Sequence, residues 1–194
     1  MRGNFALLVL ISFTLMGLVS CNEDYTPKPR GYIRIDLPVK QYEAIETDCP
    51  YSFEVATYAN FIPDLRVQSD PCWFNIEYPQ FKATLHFSYK PIDGNLKDYL
   101  EDSRTLTNKH ISKSSGIEEA LILKDDTRVF GMLYTISGDR AASPLQFHLT
   151  DSTDHFLRGA LYFKVSPNND SLAPVIDFLK EDVFHLIETL NWES

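Results

Sequence analysis

The 194-residue chain is 44% hydrophobic and 23% charged, well away from the composition of a disordered segment. Its 27 acidic against 18 basic side chains give a formal charge of −9, and no basic run interrupts that balance. Nucleic acid and anionic lipid faces are therefore excluded as electrostatic partners of the folded part.

At the amino end, Arg2 precedes an apolar run over 5–19 in which Ser12 and Thr14 are the most polar members. As a helix this run would reach about 22 Å, against roughly 30 Å for a bilayer core. It fits the apolar core of a signal peptide instead. Leu18-Val19-Ser20-Cys21 resembles the bacterial lipobox, which implies cleavage between Ser20 and Cys21 and diacylglycerol on the Cys21 thiol. The expected division is a lipoprotein signal over 1–20, a tether over 21–31 and one globular α+β domain over 32–194. Loss of Arg2 with the signal leaves 17 basic against 27 acidic groups, so the mature chain is more acidic still.

Two prolines, Pro27 and Pro29, stiffen the tether. Tyr32, Arg34 and Asp36 then alternate with Ile33, Ile35 and Leu37, which predicts a short strand. With Cys21 lipidated, Cys49 and Cys72 remain, and outside the cytoplasm such a pair favours a disulfide. Their separation of 23 residues would close a loop worth about 3 kcal/mol. Two separate buried thiols remain open, and a metal pair is disfavoured because no histidine lies close to either. Tyr51, Phe53 and Val55 predict a strand, and the stretch from Asn60 to Pro71 a loop. The strongest β signal runs from Trp73 to Tyr89, broken at Pro79, with Phe81, Ala83, Leu85, Phe87 and Tyr89 opposite Lys82, Thr84, His86 and Ser88. One apolar and one polar face predict an antiparallel sheet with a wet side.

The period then changes. From Asn95, a candidate N-cap, Leu96, Tyr99, Leu100, Ser103, Leu106 and His110 follow helical spacing. Ala120 to Lys124 and Val129 to Ser137 predict a hairpin, and Leu145 to Leu149 with Phe156 to Val165 a second strand pair. Asp170-Ser171 is the expected cap of a last helix striped by Leu172, Val175, Ile176, Leu179, Val183, Leu186, Ile187 and Leu190, widened by Phe178, Phe184 and Trp192. Strands, a helix, four strands and a helix predict an antiparallel sheet packed against two main helices. The layout resembles the Mog1/PsbP-like sandwiches.

Candidate chemistry is sparse. Thr150-Asp151-Ser152-Thr153-Asp154-His155 gathers hydroxyls, carboxylates and an imidazole, yet it lies between two strand patterns where turns need such residues. Triads are normally assembled from separate segments, so a turn is expected here and no catalytic residue is assigned. His86 falls on the polar face of its strand, His110 and His185 have no second ligand at helical spacing, and neither metal nor cofactor is expected. Among Arg30, Arg34, Arg104, Arg140 and Arg158 an anion-binding residue is conceivable, but surface positions are the simpler expectation.

The stretch from Pro27 to Pro38 (Pro-Lys-Pro-Arg-Gly-Tyr-Ile-Arg-Ile-Asp-Leu-Pro) resembles the D-type gliding-motility lipoproteins of the Bacteroidetes. The likeness continues through Cys49-Pro50-Tyr51-Ser52-Phe53, the segment from Tyr99 to Arg104, that from His155 to Phe163, and Leu186 to Trp192. It implies an envelope lipoprotein needed for gliding and for the linked type IX secretion machinery, whose proteins would be its partners. The expected site is the outer membrane, facing the periplasm and held by the lipid on Cys21. No catalytic residues come with the resemblance. Glu23-Asp24 fit loosely the surface-export signal of that phylum, and Asp151-Ser152-Thr153 and Asp170-Ser171-Leu172 fit its O-glycosylation tripeptide at Ser152 and Ser171. The expected role is assembly by protein contact, the rivals being an enzyme on peptidoglycan or glycan and a carrier of a small ligand or lipid in an aromatic cavity.

Overall fold

Seven antiparallel strands organise the domain, and the order in which they lie explains most of its packing. The computed structural model describes residues 35–64 and 72–193. Its strands are β1 (Tyr42–Ala44), β2 (Tyr51–Ser52), β3 (Glu54–Ala56), β4 (Asn60–Pro63), β5 (Phe74–Tyr78) and β6 (Ala83–Pro91) before the first helix, α1 (Leu96–Asn108). Then come β7 (Gly116–Lys124), β8 (Val129–Ser137), β9 (Leu145–Thr150), β10 (His155–Phe163), helix α2 (Asn169–Thr189) and β11 (Asn191–Trp192). The main sheet runs β4-β5-β6-β10-β9-β8-β7, and two ladders, β1-β3 and β11-β2, lie apart from it.

The period-two pattern sorts side chains to two faces. Ile76, Leu85, Phe87, Leu133, Leu145, Phe147, Leu149, Leu157 and Leu161 point to one face and are almost wholly buried. Helix α2 lies in the same core through Val175, Phe178, Leu179, Val183, Leu186 and Ile187. Each such side chain contributes about 1.5–3 kcal/mol on leaving water, so this stripe is the main reason α2 is a helix at all. Lys124 on β7 donates from Nζ to the Ile187 and Glu188 carbonyls at 3.3 and 2.5 Å, placing a cation on the negative end of α2. Gly159 on β10 lies opposite Phe147, and a Cβ there would come within 2.3 Å of the Phe147 ring. A bare backbone is what lets that ring lie flat over the central strand.

Several expectations need correction. Residues 32–34 of the first predicted strand lie outside the described residues, and 35–41 form no strand; β1 begins at Tyr42. The alternation there has no ladder partner, and Leu37 and Val39 are exposed. The stretch predicted as loop from Asn60 contains β4, which Pro63 can close because β4 is an edge strand. Asn95 caps no helix amide; its Oδ1 accepts from the Asp93 amide and its Nδ2 donates to the Tyr99 hydroxyl. Helix α2 is capped by Asn168, which accepts from the Ser171 amide, rather than by Asp170 and Ser171. Phe184 does not widen the buried stripe but is exposed beneath Lys180. Finally, the polar face of the sheet is not fully wet: Asn75, Thr84, Gln146, His148 and Thr150 are buried.

Candidate functional site

Where that polar layer lies on β9 and β10, α1 covers it, and α1 does so with an unusual face. Its two buried residues are Ser103 and Thr107, while Leu106 is exposed. Ser103 Oγ lies 3.3 Å from His148 Nδ1, and the Thr107 hydroxyl donates to Gln146 Oε1 at 3.4 Å. Arg158 Nη2 donates to the same Gln146 oxygen at 2.6 Å. Helix and sheet are thus joined here by hydroxyls, an amide, an imidazole and a guanidinium instead of methyl groups.

Short side chains on α1 leave space beside it. A cleft of about 490 Å³ opens between α1 and strands β6 and β10. Arg158 lies on its floor directly opposite Ser88, with Phe156 opposite Lys90 one rung pair away. Trp73, Tyr99 and Leu106 supply apolar wall, and Lys90 and Lys109 stand at the rim with Asp64 and Asp102. Lys90 Nζ sits 4.9 Å from the centre of the Tyr99 ring, a cation–π distance. Arg158 was expected at the surface with the other arginines; the structure corrects this, because Phe156-Leu157-Arg158 runs along a central strand beneath α1.

The electrostatics follow from that placement. Burial lowers the pKa of Arg158, and no carboxylate is hydrogen-bonded to it among the described residues. Its Nε is buried without a hydrogen-bond partner, as is Gln146 Nε2. Burial, and then the Arg158 charge, push His148 down to about 4 from 6.5. The unfolded chain therefore takes a proton at His148 between about pH 6.5 and 4 that the folded chain refuses. Stability is expected to be complete above 6.5 in this respect and to decline as pH falls toward 4. The urea midpoint should drop between pH 7 and pH 4.5, and His148→Gln should make that drop shallower; an unchanged slope in the variant would refute the assignment.

The turn from Thr150 to His155 behaves as turn chemistry requires. Asp151 is buried, and its carboxylate accepts from the amides of Thr153, Asp154 and His155 and from the Thr153 hydroxyl. Burial alone would raise its pKa, but these four hydrogen bonds outweigh it and bring it down to about 2. His155 Nδ1 pairs with the Tyr89 hydroxyl at 2.8 Å and its ring stacks on Trp192. Carboxylate and imidazole are each occupied elsewhere, and no described hydrogen bond joins either to the Ser152 hydroxyl. Ser152, at φ +73°, and Ser171 are both exposed.

Of the other singled-out residues, Cys49 and Cys72 form a disulfide. Ser20, Cys21, Arg30 and Arg34 lie outside the described residues, and Arg104 and Arg140 are exposed. His86 contacts Asn75, His110 follows the end of α1, and His185 Nε2 lies 2.6 Å from Glu54 Oε2. Among the described residues no three His, Cys, Asp or Glu side chains are placed to hold a metal ion, and no helix is long and apolar enough to cross a membrane.

A second feature was only half visible in sequence. β7 was predicted as a strand, but it is also the outer edge of the sheet, nine residues long. On the sheet face away from α2, Leu121 and Leu123 are 64% and 65% exposed, and the neighbouring Phe130 and Met132 on β8 are half-buried. One edge of backbone donors and acceptors and a small apolar patch thus face outward together.

A protein-family model described as gliding motility lipoprotein GldD matches residues 22–192. Comparison with curated protein sequences returns no match. Among solved structures the chain is similar to the solution structure of cyanobacterial PsbP (CyanoP) from Synechocystis sp. PCC 6803. The TM-score is 0.44 at 12% identity, over 91% of this chain and 99% of that one.

Proposed function

The chain belongs to the gliding motility lipoprotein GldD family, and from that premise we propose that it works by protein contact, as an assembly or stabilising factor. It is a lipid-anchored protein of the cell envelope with a role in gliding. On this reading Cys21 carries the lipid, the domain faces the periplasm from the outer membrane, and the contacts serve the type IX secretion machinery linked to gliding. No reaction is assigned to it.

The observation that carries the reading is the β7 edge. Long, exposed, apolar edge strands are normally blunted in monomers, because they invite another chain to add a strand. Here Leu121 and Leu123 stand out from a backbone edge that has no ladder partner among the described residues, in a position suited to strand addition. The exposed Glu118 and Glu119 favour an incoming extended segment that alternates basic and apolar residues.

Mild crosslinking in intact cells, followed by purification through a C-terminal tag, tests this. Motility or secretion components should be recovered above the level given by an unrelated lipoprotein. Leu121→Lys/Leu123→Lys should reduce that recovery about tenfold while changing stability by only about 0.5 kcal/mol per exposed site. Undiminished recovery with the double variant would exclude β7 as the contact. Recovery of the protein alone would turn the reading toward an enzyme or a carrier.

A further inference from the structure

The cleft beneath α1 has a chemistry that the protein-contact reading does not use. We propose that it binds a small organic anion, with a carboxylate or phosphate on the Arg158 guanidinium and an apolar body against Trp73, Tyr99 and Phe156. The proposal stands independently of the β7 edge, which strands β8 and β9 separate from the cleft.

A guanidinium held in a protein interior is costly unless an anion or several acceptors meet it. Among the described residues Arg158 has one acceptor, the Gln146 side-chain oxygen, and that oxygen is already shared with the Thr107 hydroxyl. Its Nε is buried with no partner. The charge is strong enough to hold both His148 and His110 toward their neutral forms, after burial has done so. An uncompensated cation at the floor of a cavity is what a fork-shaped contact to an oxyanion would complete.

The surroundings narrow the ligand further. In a chain of net charge −9, this cleft gathers three cations, Arg158 below and Lys90 and Lys109 at the rim, against two rim carboxylates, Asp64 and Asp102, so the cations still outnumber the acids here. Ser88 and Ser103 add hydroxyls within the lining. The aromatic walls exceed what a bare inorganic ion needs, and about 490 Å³ lies within the range of small-molecule sites. A charged head with an apolar, flat body fits both halves.

The test uses the full-length lipoprotein in detergent, with phenyl phosphate and benzoate as probes and benzyl alcohol as the neutral control, followed by saturation-transfer NMR. At least one anion should bind saturably and about tenfold tighter than the alcohol. A preference for phenyl phosphate would assign a phosphate head, and a preference for benzoate a carboxylate. Arg158→Gln should weaken the preferred anion about tenfold. Because that change also removes a tie to Gln146, Lys90→Gln at the rim provides a second variant, expected to weaken binding two- to fivefold with the melting temperature unchanged. Anions binding no tighter than the alcohol, or binding indifferent to Lys90→Gln and to a folded Arg158→Gln, would overturn the site.

Discussion

Asp182→Ala is expected to lower the unfolding free energy by about 3 kcal/mol, the low end for removing one partner of a buried ion pair. The Asp182 side chain is only 2% exposed, and Lys40 Nζ lies 2.6 Å from its Oδ1. The Tyr42 hydroxyl donates to the same oxygen at 3.0 Å and the Tyr58 hydroxyl to Oδ2 at 2.5 Å. One carboxylate on α2 thus gathers Lys40, β1 and the turn before β4. Alanine leaves two phenols without their acceptor, and leaves the ammonium only the Phe178 carbonyl and the exposed Glu181 carboxylate at 3.5 Å. The low end is chosen because the Lys40 side chain is 22% exposed, so water can reach the ammonium once its partner is gone. Urea unfolding of the purified protein measures the loss. Asp182→Asn, which keeps an acceptor for a phenol but not the charge, should cost less. A loss under 1 kcal/mol for alanine would show that the cluster is decorative.

Removing the Cys49–Cys72 bond should have an effect of similar size by a different route. The bond closes 23 residues, worth about 3 kcal/mol of denatured-state entropy. Cys49 is 5% exposed within the core, and the fully buried Tyr51 donates its hydroxyl to the Cys72 carbonyl at 2.9 Å. Cys49→Ser/Cys72→Ser should therefore melt lower by roughly 6–12 °C for a domain of this size. Reductant should lower the wild-type melting temperature similarly and leave the variant where it was. Equal melting temperatures with and without reductant would refute the prediction.

What could be foreseen from sequence was whatever rests on local period. The α2 stripe from Val175 to Ile187 and the β5 and β6 alternations lie in the structure where the spacing puts them. The cysteine pair could be anticipated from compartment alone. Other features depend on neighbours far along the chain. Ser103 and Thr107 look like the wet side of a helix until Gln146 and His148 are brought beneath them. Arg158 is indistinguishable from four other arginines until β10 is known to lie between β6 and β9. His148 is likewise unremarkable in its own stretch, and only α1 and Arg158 give it its surroundings. The edge position of β7 belongs to the strand order, which no single stretch encodes.

That order also bears on how the chain can be made. β6 ends at residue 91, yet its inner neighbour β10 spans His155–Phe163, and β2 has its ladder partner only at Asn191–Trp192. Emerging from a ribosome, the amino-terminal half can form little beyond hairpins, because the strand that fills the middle of the sheet is nearly the last to appear. Such distant pairings close slowly. A chain that cannot complete its main sheet until Phe163 has been made stays open through most of its synthesis, a useful property in a polypeptide that has to reach the cell envelope.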